Sequence, residues 1–251
     1  MESPVTHYRL KRWSCLVTAT CCWLALSADA AFAADRYFIG PAALQSSASV
    51  PQSVVDGVNP QGWVLYTQSF NIKERICELF PAKSVAGNTA VKKSSDLLYG
   101  AIVPGAFIGV IHLLPEATED YSVDTSNQKL RPGYYTMRYA ILPAGTYENG
   151  TKPGDFVVLS PASMDQHPAN ILKPEELRKL GTSTSGTDVV ARIELVAADA
   201  TMQKFPVARM DDLAACIFQI QLQLTVPKSS HARQLPLAFN LLTPLHGPEG
   251  S

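Results

Sequence analysis

The chain has 251 residues, of which 46% are apolar, so it can bury a core and is neither a disordered tail nor a collagen-like fibre. Its 21 basic and 22 acidic side chains leave a net charge of −1, without the positive excess of nucleic-acid or anionic-membrane binders. We therefore predict no nucleic-acid partner. A charged fraction of only 17%, with 18 prolines and 15 glycines, favours a sheet protein with many turns over a helical bundle.

The first 33 residues have the features of a secretory signal peptide. Arg9, Lys11 and Arg12 precede an uncharged stretch from Trp13 to Ala28, and the triplet 31–33 supplies the small residues that signal peptidase requires. The stretch is shorter than the roughly 20 residues of a helix that crosses the bilayer core, and an uncleaved anchor is the alternative. We expect cleavage after this triplet, a secreted or periplasmic location, and no stable membrane span afterwards.

The rest of the chain divides into three parts. Residues 34–60 contain three prolines and a serine-rich stretch, which predicts a loosely ordered N-terminal lead-in. Residues 61–246 form one predicted domain, and residues 247–251 a disordered tail.

Apolar residues recur with a period of two along the predicted domain, as in half-buried strands. The clearest example places Phe218, Ile220 and Leu222 on one face and Gln219 and Gln221 on the other. The predicted strands are 63–70, 72–80, 134–141, 155–159, 189–196, 216–226 and 235–242, with Pro236 indicating an edge position.

The uncharged run from Leu97 to Leu114 is long enough to raise the question of a membrane span. Pro104 and Gly105 in its middle form a turn signal, so we predict a hairpin or a bent strand instead.

One short helix is predicted. Pro174 opens it, Glu175 lies in the first turn, Arg178 in the last, and Gly181 ends it. Two helical turns cannot cover a sheet, so a second sheet must cover the apolar strand faces. The predicted fold class is all-β with minor α, an antiparallel β-sandwich or jelly-roll-like body with one short helix.

No metal or cofactor motif is present in the sequence. His112, His167, His231 and His246 are isolated, without the closely spaced His, Cys or carboxylate ligands of metal sites. We therefore predict no metal and no cofactor.

The nearest approach to a catalytic motif is the segment 181–186, which misses Gly-x-Ser-x-Gly by one residue. A serine-type hydrolase would use Ser183 or Ser185 with His167 and Asp165, which would have to meet through tertiary contacts alone. A polar loop and a turn are the favoured interpretation of these residues, so enzymatic activity stays uncertain, with a non-enzymatic protein favoured.

Four tyrosines cluster near the Asn149-Gly150 turn signal. Exposed aromatic rings commonly serve as platforms for sugar or peptide binding. Tyr134 and Tyr147 are the candidate binding residues, since others of the cluster are expected in the core.

Cys77 and Cys216 are the cysteines that would remain after removal of the signal peptide. In an oxidising compartment they form either a disulfide or two buried thiols. The sequence leaves both alternatives open.

Pro132-Gly133-Tyr134-Tyr135 resembles the Pro-Gly-x-Tyr turn-into-strand element of transthyretin-like and related secreted β-sandwich modules. Together with segments 154–161 and 185–187, it makes residues 75–242 similar to a group of exported bacterial proteins with no assigned activity. The resemblance implies a secreted β-sandwich and assigns no functional residue.

These features predict an exported, non-enzymatic envelope protein that binds a small ligand or another envelope protein. The alternatives are the secreted serine-type hydrolase and a structural subunit of a surface assembly.

Overall fold

The computed structural model of the chain describes residues 37–45, 47–69, 72–89, 97–115, 121–122, 130–141, 154–211, 215–229 and 231–244. The predicted signal peptide, Tyr147, His246 and the predicted C-terminal tail lie outside the described residues.

Strands make up about half of the described chain, far more than the helices, as predicted. The strands are β1 (Tyr37–Ala43), β2 (Gln61–Ser69), β3 (Ile72–Pro81), β4 (Val85–Ala86), β5 (Phe107–Leu113), β6 (Tyr121–Ser122), β7 (Gly133–Ile141), β8 (Asp155–Pro161), β9 (Arg192–Val196), β10 (Val207–Met210), β11 (Cys216–Thr225) and β12 (Arg233–Pro244). The helices are α1 (Gln52–Gly57) and α2 (Pro174–Ser185), with a 3₁₀ turn at Ala162–Met164. The predicted class, all-β with minor α, is confirmed.

The strands of the described residues form one twelve-stranded sheet in the order β1-β2-β3-β5-β7-β8-β9-β12-β11-β10. Neighbours along this order are antiparallel, while β4 pairs with β11 and β6 with β12. The sheet rolls up until β10 lies beside β1, which gives a nearly closed barrel. The apolar strand faces therefore meet across the inside of one rolled sheet, where the sequence predicted two facing sheets. A two-residue period shows that one face is buried, and both arrangements satisfy it.

The predicted alternation in β11 is present in the structure. Phe218, Ile220 and Leu222 are buried in the barrel core, whereas Gln221 on the opposite face is exposed. Gln219 is on the same face as Gln221 but is buried, because its side-chain amide is hydrogen-bonded to the backbone of the β9–β10 connection. This pattern identifies the inner and outer faces of the strands paired with β11.

The described part of the predicted lead-in, residues 37–45 and 47–60, is more ordered than predicted, because it contains β1 and α1. β1 is an end strand of the sheet and pairs with β2 along its whole length. Pro41 fits there because an edge strand has one side without a partner strand. α1 buries Val54 completely.

Pro236 lies in β12 opposite Gln221 of β11. β9 pairs with β12 only from Ala238 onward, so Pro236 has a strand partner on one side. Pro236 therefore has the one-sided pairing of an edge residue, although β12 lies inside the strand order.

The prediction that the short helix beginning at Pro174 ends at Gly181 is wrong. α2 begins at Pro174 as predicted but continues to Ser185, and Gly186 caps it in the left-handed conformation with φ 70°. A Cβ on Gly181 would lie 2.4 Å from Val190 Cγ1 and 3.0 Å from Val158 Cγ1. Gly181 thus allows the helix to pack closely on the barrel and does not end it.

The uncharged run from Leu97 to Leu114 forms a turn followed by β5, as the predicted bent strand requires. The turn contains Gly105, which has a φ of 86° and donates its backbone N–H to the Tyr139 carbonyl. In the part of the chain that is described, no helix is long and apolar enough to span a membrane.

A buried guanidinium fastens the segment 165–170 to the outer face of β7. Arg138, 1% exposed, donates from Nε and Nη2 to the two oxygens of Asp165, at 2.6 and 2.8 Å. Its other contacts are to the carbonyl oxygens of Gly105, Asn170 and His167. All five N–H groups of the guanidinium therefore have an acceptor.

We expect Asp165→Asn to destabilise the protein by about 3 kcal/mol, because it leaves the Arg138 charge buried without its counter-ion. Urea denaturation followed by circular dichroism measures this change. Asp188→Asn, which alters an exposed carboxylate, is the matched control and should change stability by less than about 0.5 kcal/mol. A loss below about 1 kcal/mol for Asp165→Asn would contradict the role of this ion pair.

Candidate functional site

The structure does not bring the four residues of the predicted hydrolase site together as a hydrogen-bonded triad among the described residues. Both Asp165 oxygens accept from Arg138, and the His167 side chain is exposed to solvent. Ser183 and Ser185 lie in the last turn of α2, where their hydroxyls donate to backbone carbonyl oxygens. Among the described residues, no hydrogen bond joins His167 to either serine.

Three side chains form a row across the outer face of β3, β5 and β7. Glu78 lies opposite His112, and His112 lies opposite Tyr134 in the strand register. Each of these side chains has a buried neighbour in sequence: Leu79 beside Glu78, Ile111 beside His112 and Tyr135 beside Tyr134. The three neighbours lie opposite one another in the same register and point into the barrel. The alternation of the strands therefore directs the row outward.

Hydrogen bonding and stacking hold the His112 ring. Its Nδ1 lies 2.9 Å from Glu78 Oε2, and Arg75 pairs with the other carboxylate oxygen. The His112 and Tyr134 rings are stacked, with centroids 3.8 Å apart and planes inclined by 6°. When Nδ1–H donates to Glu78, the uncharged ring presents the lone pair of Nε2 on its other side.

We call Arg75, Glu78, His112 and Tyr134 the polar row. The side chains of Glu78 and His112 are 11% and 22% exposed, so the row is partly open to solvent. Burial, with a contribution from the Glu78 charge, raises the pKa of Tyr134, and its hydroxyl therefore keeps its proton. In the described ranges, His112 Nε2 and the Tyr134 hydroxyl have no hydrogen-bond partner.

Tyr134 is the one member of the polar row that the sequence identified as a binding candidate. His112 was noted only as an isolated histidine, and Arg75 and Glu78 were missed. The available signal was a carboxylate inside the otherwise apolar sequence Ile76 to Phe80. A charged residue in such a strand needs a partner, and the strand pairing supplies it.

Two depressions of the surface lie away from the polar row. One of about 730 Å³ is lined by residues of β1 and β2, among them Trp63, and by Pro206. The other, of about 370 Å³, includes Phe107 and Ile171. In the described part of the chain, no group of three or more His, Cys, Asp or Glu side chains could hold a metal ion.

Cys77 and Cys216 are both buried and unbridged in the structure. Burial, with a smaller effect of the Glu78 charge, raises the pKa of the Cys77 thiol to about 12. Burial also raises the pKa of Cys216 well above its ordinary value. Because the thiolate is the reactive form, neither thiol is suited to nucleophilic chemistry.

We expect both thiols to resist alkylation in the folded protein and to react after unfolding in urea without reductant. Peptide mapping by mass spectrometry identifies Cys77 and Cys216 individually. Failure of either cysteine to react after unfolding would indicate a disulfide, and reaction in the folded protein would contradict the burial.

A second ionisable cluster lies at the start of β8. Oδ2 of Asp155 accepts from the Tyr99 backbone N–H and from the Tyr139 hydroxyl, the latter at 3.1 Å. Within the described ranges, Oδ1 has no hydrogen-bond partner. Burial raises the pKa of Asp155, and these hydrogen bonds offset part of the increase. The Tyr99 hydroxyl donates to the Val196 carbonyl and accepts from the Ala238 N–H, so the cluster ties β8 to β9 and β12.

We expect the stabilising contribution of Asp155 to be complete below its unfolded pKa of about 3.9 and to decrease as the pH rises through its higher folded value. Asp155→Asn cannot ionise. The free energy of unfolding of the natural protein, minus that of the variant, should therefore fall as the pH rises above about 4. Urea denaturation at several pH values measures it, with Asp188→Asn as the control. A difference independent of pH would contradict this account.

Comparisons with protein-family models, with curated proteins and with solved structures find no match to this chain.

Proposed function

We propose that this protein is an exported, non-enzymatic binding protein that holds a small polar ligand at the polar row. The N-terminal sequence pattern of a signal peptide supports export. The observation that carries the binding proposal is the His112 ring, which contacts the Glu78 carboxylate and the Tyr134 ring while Nε2 has no hydrogen-bond partner among the described residues.

A ligand binds well where polar groups are held in place before it arrives, because less conformational entropy is then lost on binding. The His112 ring is restrained at Nδ1 by the hydrogen bond to Glu78 and on one face by the stacked ring of Tyr134. The pairing with Arg75 also restrains Glu78. The polar row is therefore an ordered recognition surface.

A carboxylate and a histidine can also act as a general base. Such a role requires a group from which Nε2 removes a proton. In the described residues, no serine, threonine or cysteine side chain donates a hydrogen bond to His112. The contacts of His112 consequently support recognition of a ligand more directly than catalysis.

The test is a thermal-shift screen with monosaccharides, amino acids, dipeptides and hydroxycarboxylic acids, followed by calorimetry on compounds that stabilise the protein. We expect at least one compound to bind the natural protein and to lose affinity at least tenfold with His112→Ala. His231→Ala, which changes an exposed histidine outside the polar row, is the control and should bind normally.

Circular dichroism of each variant checks that it is folded. Absence of any stabilising compound, or equal binding by His112→Ala, would contradict the binding proposal.

In a bacterial host, the exported protein should begin at Ala34 by intact mass, and export with Met1 retained would contradict the predicted cleavage.

A further inference from the structure

In the part of the chain that the structure describes, the groups of the polar row without a hydrogen-bond partner include both donors and acceptors. When the His112 ring is uncharged and directs Nδ1–H at Glu78, its Nε2 is an acceptor. Arg75 has further N–H groups besides the one paired with Glu78, and these groups can donate hydrogen bonds but cannot accept them. The protonated Tyr134 hydroxyl does both.

The charges of the polar row balance each other. Arg75 and Glu78 are in direct contact, so the cation and the anion of the row are paired. A carboxylate ligand would be attracted by Arg75 but repelled by Glu78, and it could not donate to Nε2. An ammonium group would be repelled by Arg75 and could not accept from it.

Hydroxyl groups satisfy this mixed set, since each one donates and accepts. One hydroxyl group of such a ligand could donate to His112 Nε2 and another could accept from Arg75, without a net charge to desolvate. The stacked rings of His112 and Tyr134 add apolar surface beside these polar groups, a combination usual in small-molecule sites.

On the basis of the proposed binding function, we infer that the ligand of the polar row is a saccharide, bound as a neutral pyranose ring through its hydroxyl groups. The hydrogen-bond inventory and the paired charges of Arg75 and Glu78 carry this assignment. The assignment predicts that neutral sugars bind more tightly than acidic sugars and amino sugars of the same ring size.

The probes are the methyl glycosides of glucose, galactose and mannose, compared with glucuronate, galacturonate, mannuronate and the corresponding 2-amino sugars. Isothermal titration calorimetry measures their affinities for the full-length exported protein. We expect at least one neutral glycoside to bind at least tenfold more tightly than its acidic and amino counterparts.

Tyr134→Phe keeps the stacked ring and removes the hydroxyl, so it should weaken glycoside binding about fivefold to tenfold. His231→Ala should leave the affinity unchanged, and circular dichroism should show that both variants are folded. Undiminished glycoside binding by Tyr134→Phe would contradict the assigned contact.

The outcomes separate this inference from the proposed function. If an amino acid, dipeptide or hydroxycarboxylate binds through His112 and no glycoside does, the protein is a binding protein and the saccharide assignment is wrong. Equal binding of neutral and charged sugars would also overturn the assignment. If no compound binds in a His112-dependent manner, both proposals fail.

Discussion

The register between β3, β5 and β7 is the constraint on which the site depends. In this register, one face of the three strands contributes Leu79, Ile111 and Tyr135 to the core. A slip of one residue in a strand would reverse its faces, moving apolar side chains outward and Glu78 or His112 inward. Because burial of the unpaired Glu78 charge is unfavourable, the packing that forms the core also maintains the polar row.

Two arginines on the outer face of the barrel have different roles because their donors are used differently. Every N–H group of Arg138 is satisfied by Asp165 or a backbone carbonyl, and this arrangement fastens the segment 165–170 to β7. Arg75 is 53% exposed and pairs with Glu78, with donor capacity left for a ligand. Arg138 therefore has a structural role, because it is buried and all its N–H groups already have acceptors. Arg75 is exposed, so its remaining N–H groups are accessible to the proposed ligand.

Local sequence patterns predicted the elements better than their assembly. The alternation in β11 and the helix start at Pro174 depend on nearby residues, and both were predictable. Closure of the sheet into a barrel, the position of Gly181 against Val190, and the pairing of Glu78 with His112 depend on residues distant in sequence. A two-residue period contains no information about which strands become neighbours, so Tyr134 could be identified as a candidate without its partners.

The most direct test of the central claim is the tautomer of His112, measured by ¹⁵N NMR of its ring nitrogens without ligand, at a pH where the imidazole is uncharged. The hydrogen bond to Glu78 predicts a proton on Nδ1 and a bare Nε2, with the Nδ1 proton protected from exchange with solvent. A proton on Nε2, or a rapidly averaged mixture of the two tautomers, would contradict the geometry on which the proposed binding site rests.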